Sequence, residues 1–133
     1  MNVLVYLLLL APLLVASAPA RSAELGTRTS TAAGVTVKVT PRNFAAQAAV
    51  WEFTVVLDTH SQELSDDLVK AASLIDARGD RHPPLAWEGA AAGGHHRSGV
   101  LRFKGLGEPR DAIELQIRRA GEPAPRVFRW KLR

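Results

Sequence analysis

Between Trp51 and Asp58 two interleaved sets of residues alternate: Trp51, Phe53, Val55 and Leu57 against Glu52, Thr54, Val56 and Asp58. Successive side chains of a strand point to opposite faces, so a period of two belongs to a strand and not to a helix. A strand that is apolar along one face must lie in a sheet and bury that face against a second layer. This segment therefore rules out an all-helical chain.

The same period recurs. Val35, Val37 and Val39 alternate with Thr36, Lys38 and Thr40, and Pro41 closes the run. Val100 to Lys104 alternates, as does Ile113-Leu115-Ile117 against Glu114-Gln116-Arg118. A last strand sets Phe128, Trp130 and Leu132 opposite Arg129 and Lys131, and Gly121-Glu122-Pro123-Ala124-Pro125 joins it to its predecessor as an antiparallel hairpin. Glu114 then faces Arg129 or Lys131 across the pair.

Between these strands, Ser65-Asp66-Asp67 starts a turn, and Leu68 to Asp76 suits a third strand or a short helix, since Ala71 and Ala72 fit either. Asp76-Ala77-Arg78-Gly79-Asp80 reads as a hairpin turn. His82-Pro83-Pro84 forces extended backbone and bars a central strand, so Leu85 to Trp87 is an edge segment or loop, followed by a loop from Ala90 to Gly94. The expected fold is all-β, an immunoglobulin-like antiparallel sandwich of about seven strands over residues 35–133.

Ahead of it, residues 24–34, rich in Ser, Thr, Ala and Gly, show no apolar period and read as a flexible lead-in. Residues 1–23 read as a secretory signal peptide. Val3 to Ala20 is almost wholly apolar, and Ala18-Pro19-Ala20 forms an A-x-A cleavage site, with Arg21-Ser22-Ala23 just beyond it. Met1-Asn2 brings no Lys or Arg to the start of the segment. The alternative is an uncleaved membrane anchor, since about 18 apolar residues just reach spanning length, although Pro12 and the small residues after it argue for cleavage. The protein is expected in the periplasm or secreted.

Export makes the cysteine count informative. With none in the chain, there is no disulfide, thiol chemistry or lipidated cysteine, and the domain holds by packing alone. The formal charge of +4 is mild and the chain carries no run of five like charges, which with export sets nucleic acid aside as a partner. An unknown protein or envelope component is expected instead, bound by a monomer that touches membrane only through an uncleaved leader.

Four side chains bring chemistry: His60, His82, His95 and His96 all fall at strand ends or in loops, where binding residues gather. Neutral imidazole suits copper and zinc, so these are the candidate metal ligands. Their spacing matches no tight metal motif, and His95 and His96 share an ion only if Gly93 and Gly94 permit an irregular loop. Asp58 and His60 stand two apart on one strand face, an arrangement in which a carboxylate orients an imidazole. Asp58, His60 and Ser98 also supply the side chains of a hydrolytic triad, but no G-x-S-x-G elbow frames a serine. Trp51 and Trp130 read as core, whereas Trp87, after two prolines, is a candidate contact residue together with Asp58. Lys38, Arg102, Lys104, Arg118, Arg129 and Lys131 form a basic polar side that attracts anionic envelope components or is simply solvated.

Two stretches carry a resemblance. Val56-Leu57-Asp58-Thr59-His60-Ser61 with Leu64-Ser65-Asp66-Asp67-Leu68, and Pro84-Leu85-Ala86-Trp87-Glu88-Gly89 leading to Gly93-Gly94-His95-His96-Arg97-Ser98-Gly99-Val100-Leu101-Arg102-Phe103, resemble segments of small exported bacterial proteins of unknown function. The resemblance spans roughly residues 35–132. It implies export and a compact domain, brings the His60 and His95 regions into focus together, and carries no activity across. The resulting expectation is an exported binding or interaction module without enzymatic activity and without a cofactor, ahead of a copper or zinc protein and of a small hydrolase.

Overall fold

The structure, a computed structural model, describes residues 25–132. Its strands are β1 (Arg28–Ala32), β2 (Val35–Asn43), β3 (Val50–Thr59), β4 (Ala72–Ile75), β5 (Arg81–His82), β6 (Ala86–Gly89), β7 (His96–Lys104), β8 (Ala112–Ile117) and β9 (Arg126–Lys131). One helical turn, α1 (Leu68–Ala71), precedes β4. The all-β expectation holds: one sheet runs β1-β2-β3-β7-β6, the other β5-β4-β8-β9, and every neighbouring pair is antiparallel.

The alternation read from the sequence is what buries the core. Val35, Val37 and Val39 of β2 and Trp51, Phe53, Val55 and Leu57 of β3 turn inward, to meet Leu74, Leu115, Phe128 and Trp130 of the second sheet. Phe53 joins the layers: its ring meets Phe103 edge-on at 5.7 Å and Trp130 at 6.0 Å. Edge-to-face pairs are preferred because a positive ring rim meets a negative face. The β8–β9 hairpin forms as expected, with Glu114 opposite Arg129 and 3.4 Å from it.

Elsewhere the structure corrects the sequence reading. The expected lead-in holds a strand, since β1 pairs with β2 from Arg28↔Val39 to Ala32↔Val35. Its residues show no apolar period because nearly all of them are exposed on both faces; main-chain pairing with β2 sets its register. Pro41 does not end β2, which continues through it to Asn43 with a register shift. Pairing with β1 stops at Val39, so beyond it β2 has become an edge, where proline is tolerated. Leu68 to Asp76 is helix and then strand, divided because Asp67 caps the turn by accepting from the backbone N–H of Val69 and Lys70. Among the described residues the strands number nine instead of about seven, the additions being β1 and the two-residue β5. The leader expected over residues 1–23 lies outside the described residues. Among those described, no helix is long and apolar enough to cross a membrane.

Candidate functional site

The strands run between two ends of different construction. At one end lie the β1–β2 turn, the 60–71 and 90–95 loops and the 118–125 connection; at the other lie residues 44–49, the 76–80 turn and the 105–111 loop. Three of the four histidines sit at the first end and His82 at the second.

Buried arginines seal the first end. Arg126, at the start of β9, donates to the carbonyls of Ser30, Ala32 and Val35 at 2.8 to 3.0 Å and pairs with Glu122 at 2.8 Å. It thereby ties the second sheet to the β1–β2 hairpin of the first. Arg119 lies between Asp66 at 3.0 Å and Glu122 at 3.3 Å, all nearly excluded from water. The Arg126 guanidinium beside Glu122 holds that carboxyl below its ordinary range, with Arg119 adding to the effect and burial opposing it.

Arg97 is buried and, among the described residues, has no carboxylate partner. Its guanidinium donates to the carbonyls of Leu64, Asp66 and Ala90 and lies 5.6 Å from the Trp87 ring centroid. These contacts lock the two loops together; its Nε is buried with no acceptor. Trp87 fits because it lies over two glycines paired across β6 and β7: a Cβ at Gly99 would stand 2.7 Å from the Glu88 carbonyl oxygen and 2.8 Å from the indole. The Trp87 N–H donates to the Ala90 carbonyl at 2.9 Å. This tryptophan is half-buried and packed against the core, as a loop support and not an open platform.

The histidines do not converge. His96 Nδ1 lies 2.5 Å from Asp58 Oδ1, so the partner of Asp58 is the residue opposite it on β7 and not His60 two places along. His60 and His95 are exposed. His82 Nε2 meets Asp76 Oδ2 at 2.8 Å, at the far end in the other sheet. Among the described residues no group of three or more His, Asp or Glu side chains comes close enough to hold a metal ion. No hydrogen bond there joins His60 to Asp58 or Ser98, so the triad arrangement is not assembled. A shallow depression of about 460 Å³ at this end is lined by Asp66, Arg119 and Glu122, which pair with one another, and by Asp67, Lys70 and Arg118.

The second end is open. A cleft of about 380 Å³ enters between the sheets, with Trp51, Leu74 and Ile113 at its floor and Leu106 and Pro109 on one wall. The opposite wall is the 76–80 turn, fixed by one carboxylate. Asp76 accepts from the backbone N–H of Arg78 and Asp80 through Oδ1 and meets His82 through Oδ2. That hydrogen bond with His82 holds the Asp76 carboxyl below its ordinary value of 3.8, the backbone donors adding to it. The Trp51 indole N–H donates to the Ala45 carbonyl at 3.0 Å, orienting the ring at the cleft floor. Gly105 allows the far wall, since any Cβ there would strike the Ala48 carbonyl. Sequence reading missed this site because its walls come from three separate connections; the only local signal was the Gly105, Gly107 and Pro109 cluster after β7. No protein-family model, no curated protein and no solved structure matches the chain.

Proposed function

We propose that this chain is an exported binding module, periplasmic or secreted, that takes its ligand in the cleft between the 76–80 turn and the 105–111 loop. The observation that carries the reading is the cleft itself: a concave opening of about 380 Å³ between two sheets, with apolar side chains at its floor and charged ones at its rim. Pockets of about 300–1,000 Å³ with that division of labour are where small ligands bind. Export rests on the A-x-A pattern after an apolar run.

The finer fold assignment, an immunoglobulin-like sandwich, belongs to the same reading. With β2 to β9 taken in order as strands A, B, C, C′, D, E, F and G, one sheet runs A-B-E-D and the other C′-C-F-G, with β1 added outside A. The inner positions of the B and F equivalents, which carry the cysteine pair of true immunoglobulin domains, hold residues such as Val55 and Leu115.

Amide chemical-shift mapping against a library of small apolar and aromatic compounds tests the ligand site. Shifts should cluster on the Trp51 indole, Leu106 and Ile113. Shifts confined to the histidine-bearing end, or none across the library, overturn the cleft assignment. Export is read separately, from the mass of the mature chain after expression with its leader: cleavage following Ala20 or Ala23 is expected, and an intact leader in the cytoplasm refutes it.

A further inference from the structure

The charges around the cleft are not equivalent. The Asp76 carboxylate is committed to two backbone donors and His82, and Arg78 is paired with Asp80 at 3.3 Å. Glu108 and Arg110 remain. Both line the cleft on either side of Pro109, both are exposed, and among the described residues neither side chain takes part in an ion pair or hydrogen bond. The mouth thus offers one free anion and one free cation beside an apolar floor.

From this we infer that the cleft takes a short peptide with free termini and apolar side chains, its ammonium at Glu108, its carboxylate at Arg110 and a side chain over Trp51 and Ile113. The inference rests on the cleft reading above and adds the ligand class. Charge complementarity selects it. A fatty acid leaves Glu108 against its own head group, and a cationic amphiphile does the same to Arg110; a zwitterion satisfies both. Size supports it, because about 380 Å³ is near the lower end of the range for ligand pockets, room for two or three residues and not for a folded partner.

The test is calorimetric titration of the purified protein with the dipeptide Leu-Phe and with its N-acetylated, C-amidated form, which keeps the apolar body and loses both charges. The free dipeptide should bind about tenfold more tightly, the order that two exposed ion pairs supply. Glu108→Gln and Arg110→Gln should each remove much of that advantage while leaving affinity for the capped peptide unchanged. Ala77→Trp, at an exposed turn position on the cleft wall, should abolish binding of both. Equal affinity for the two peptides overturns the zwitterion inference and leaves the cleft reading standing. Failure of both peptides to bind at about 1 mM, while shift mapping still marks the cleft, also overturns only this inference. Binding that survives Ala77→Trp overturns both.

Discussion

The two ends of this molecule are built on opposite principles. At the histidine-bearing end charge is taken inside: Arg97, Arg119 and Arg126 are all buried, donating to carboxylates and to carbonyls of loops that the Leu64–Gly94 and Gly93–Leu64 backbone bonds also join. At the cleft end charge stays outside, around a cleft whose innermost residues, Trp51, Leu74 and Ile113, are still nearly covered. A domain without cysteines has no disulfide with which to pin its loops, and here guanidinium groups do that work where the loops are longest. The lesson is that the histidine-rich end of the domain is its fastener, and the quieter end is the one that carries the cleft.

If that division is right, substitutions at the sealed end damage stability and those at the open end do not. Arg126→Ala should be worst, by about 3–5 kcal/mol, because it removes a buried guanidinium that serves three carbonyls and leaves the half-buried Glu122 without its main partner; urea unfolding measures it, and a loss below about 1 kcal/mol would break the comparison. Gly99→Ala should follow at about 1–3 kcal/mol, since its Cβ would meet the Glu88 carbonyl and the Trp87 ring; the near-ultraviolet dichroism of the indole should change with it.

Glu122→Gln should cost about 1–2 kcal/mol at neutral pH, and its effect should depend on pH. The folded protein holds this carboxyl below its ordinary value of 4.5. Its stabilisation is therefore fully present above that value and is lost as the pH falls through the lower, folded one. Acid titration of stability should show a fall below about pH 4.5 in the native protein and a shallower one in the variant. A variant with the native acid slope would assign the effect to other carboxylates. Smallest of all, Glu108→Gln and Arg110→Gln at the open end should stay within about 0.5 kcal/mol of the parent in the same unfolding measurement.

Wherever a side chain's fate is set by its immediate neighbours in sequence, the fold was legible. The inward set of β3 and the β8–β9 hairpin follow from a period of two and a turn, which left Glu114 facing Arg129 or Lys131; the register settles on Arg129. What sequence did not show is what depends on distant partners. Asp58 and His60 look like a pair, yet Asp58 meets His96, which is 38 residues away across the β3–β7 ladder. β1 has no pattern to read, because an edge strand exposed on both faces has no buried set. The residues that support the resemblance prove to be those that close the sealed end: Asp66 pairs with Arg119, Asp67 caps α1, and Trp87 rests on Gly89 and Gly99. Their histidine neighbours attract attention by type, while the cleft is lined by residues of unremarkable type brought together only in space.

The fastening of β1 also sets an order of events in biosynthesis. Beyond β2, this strand is held by Arg126 on Ser30 and Ala32, and the segment just before it by Trp130, which donates to the Gly26 carbonyl 104 residues earlier. A chain emerges amino end first, so β1 and β2 are out long before their clasp. An isolated two-stranded hairpin is marginal in water, so β1 and β2 lack the clasp from β9 until that strand has been made. Such long closures are slow because chain entropy must be overcome before any contact rewards it. A polypeptide assembled in this order keeps its first hairpin unclasped until β9 has been made.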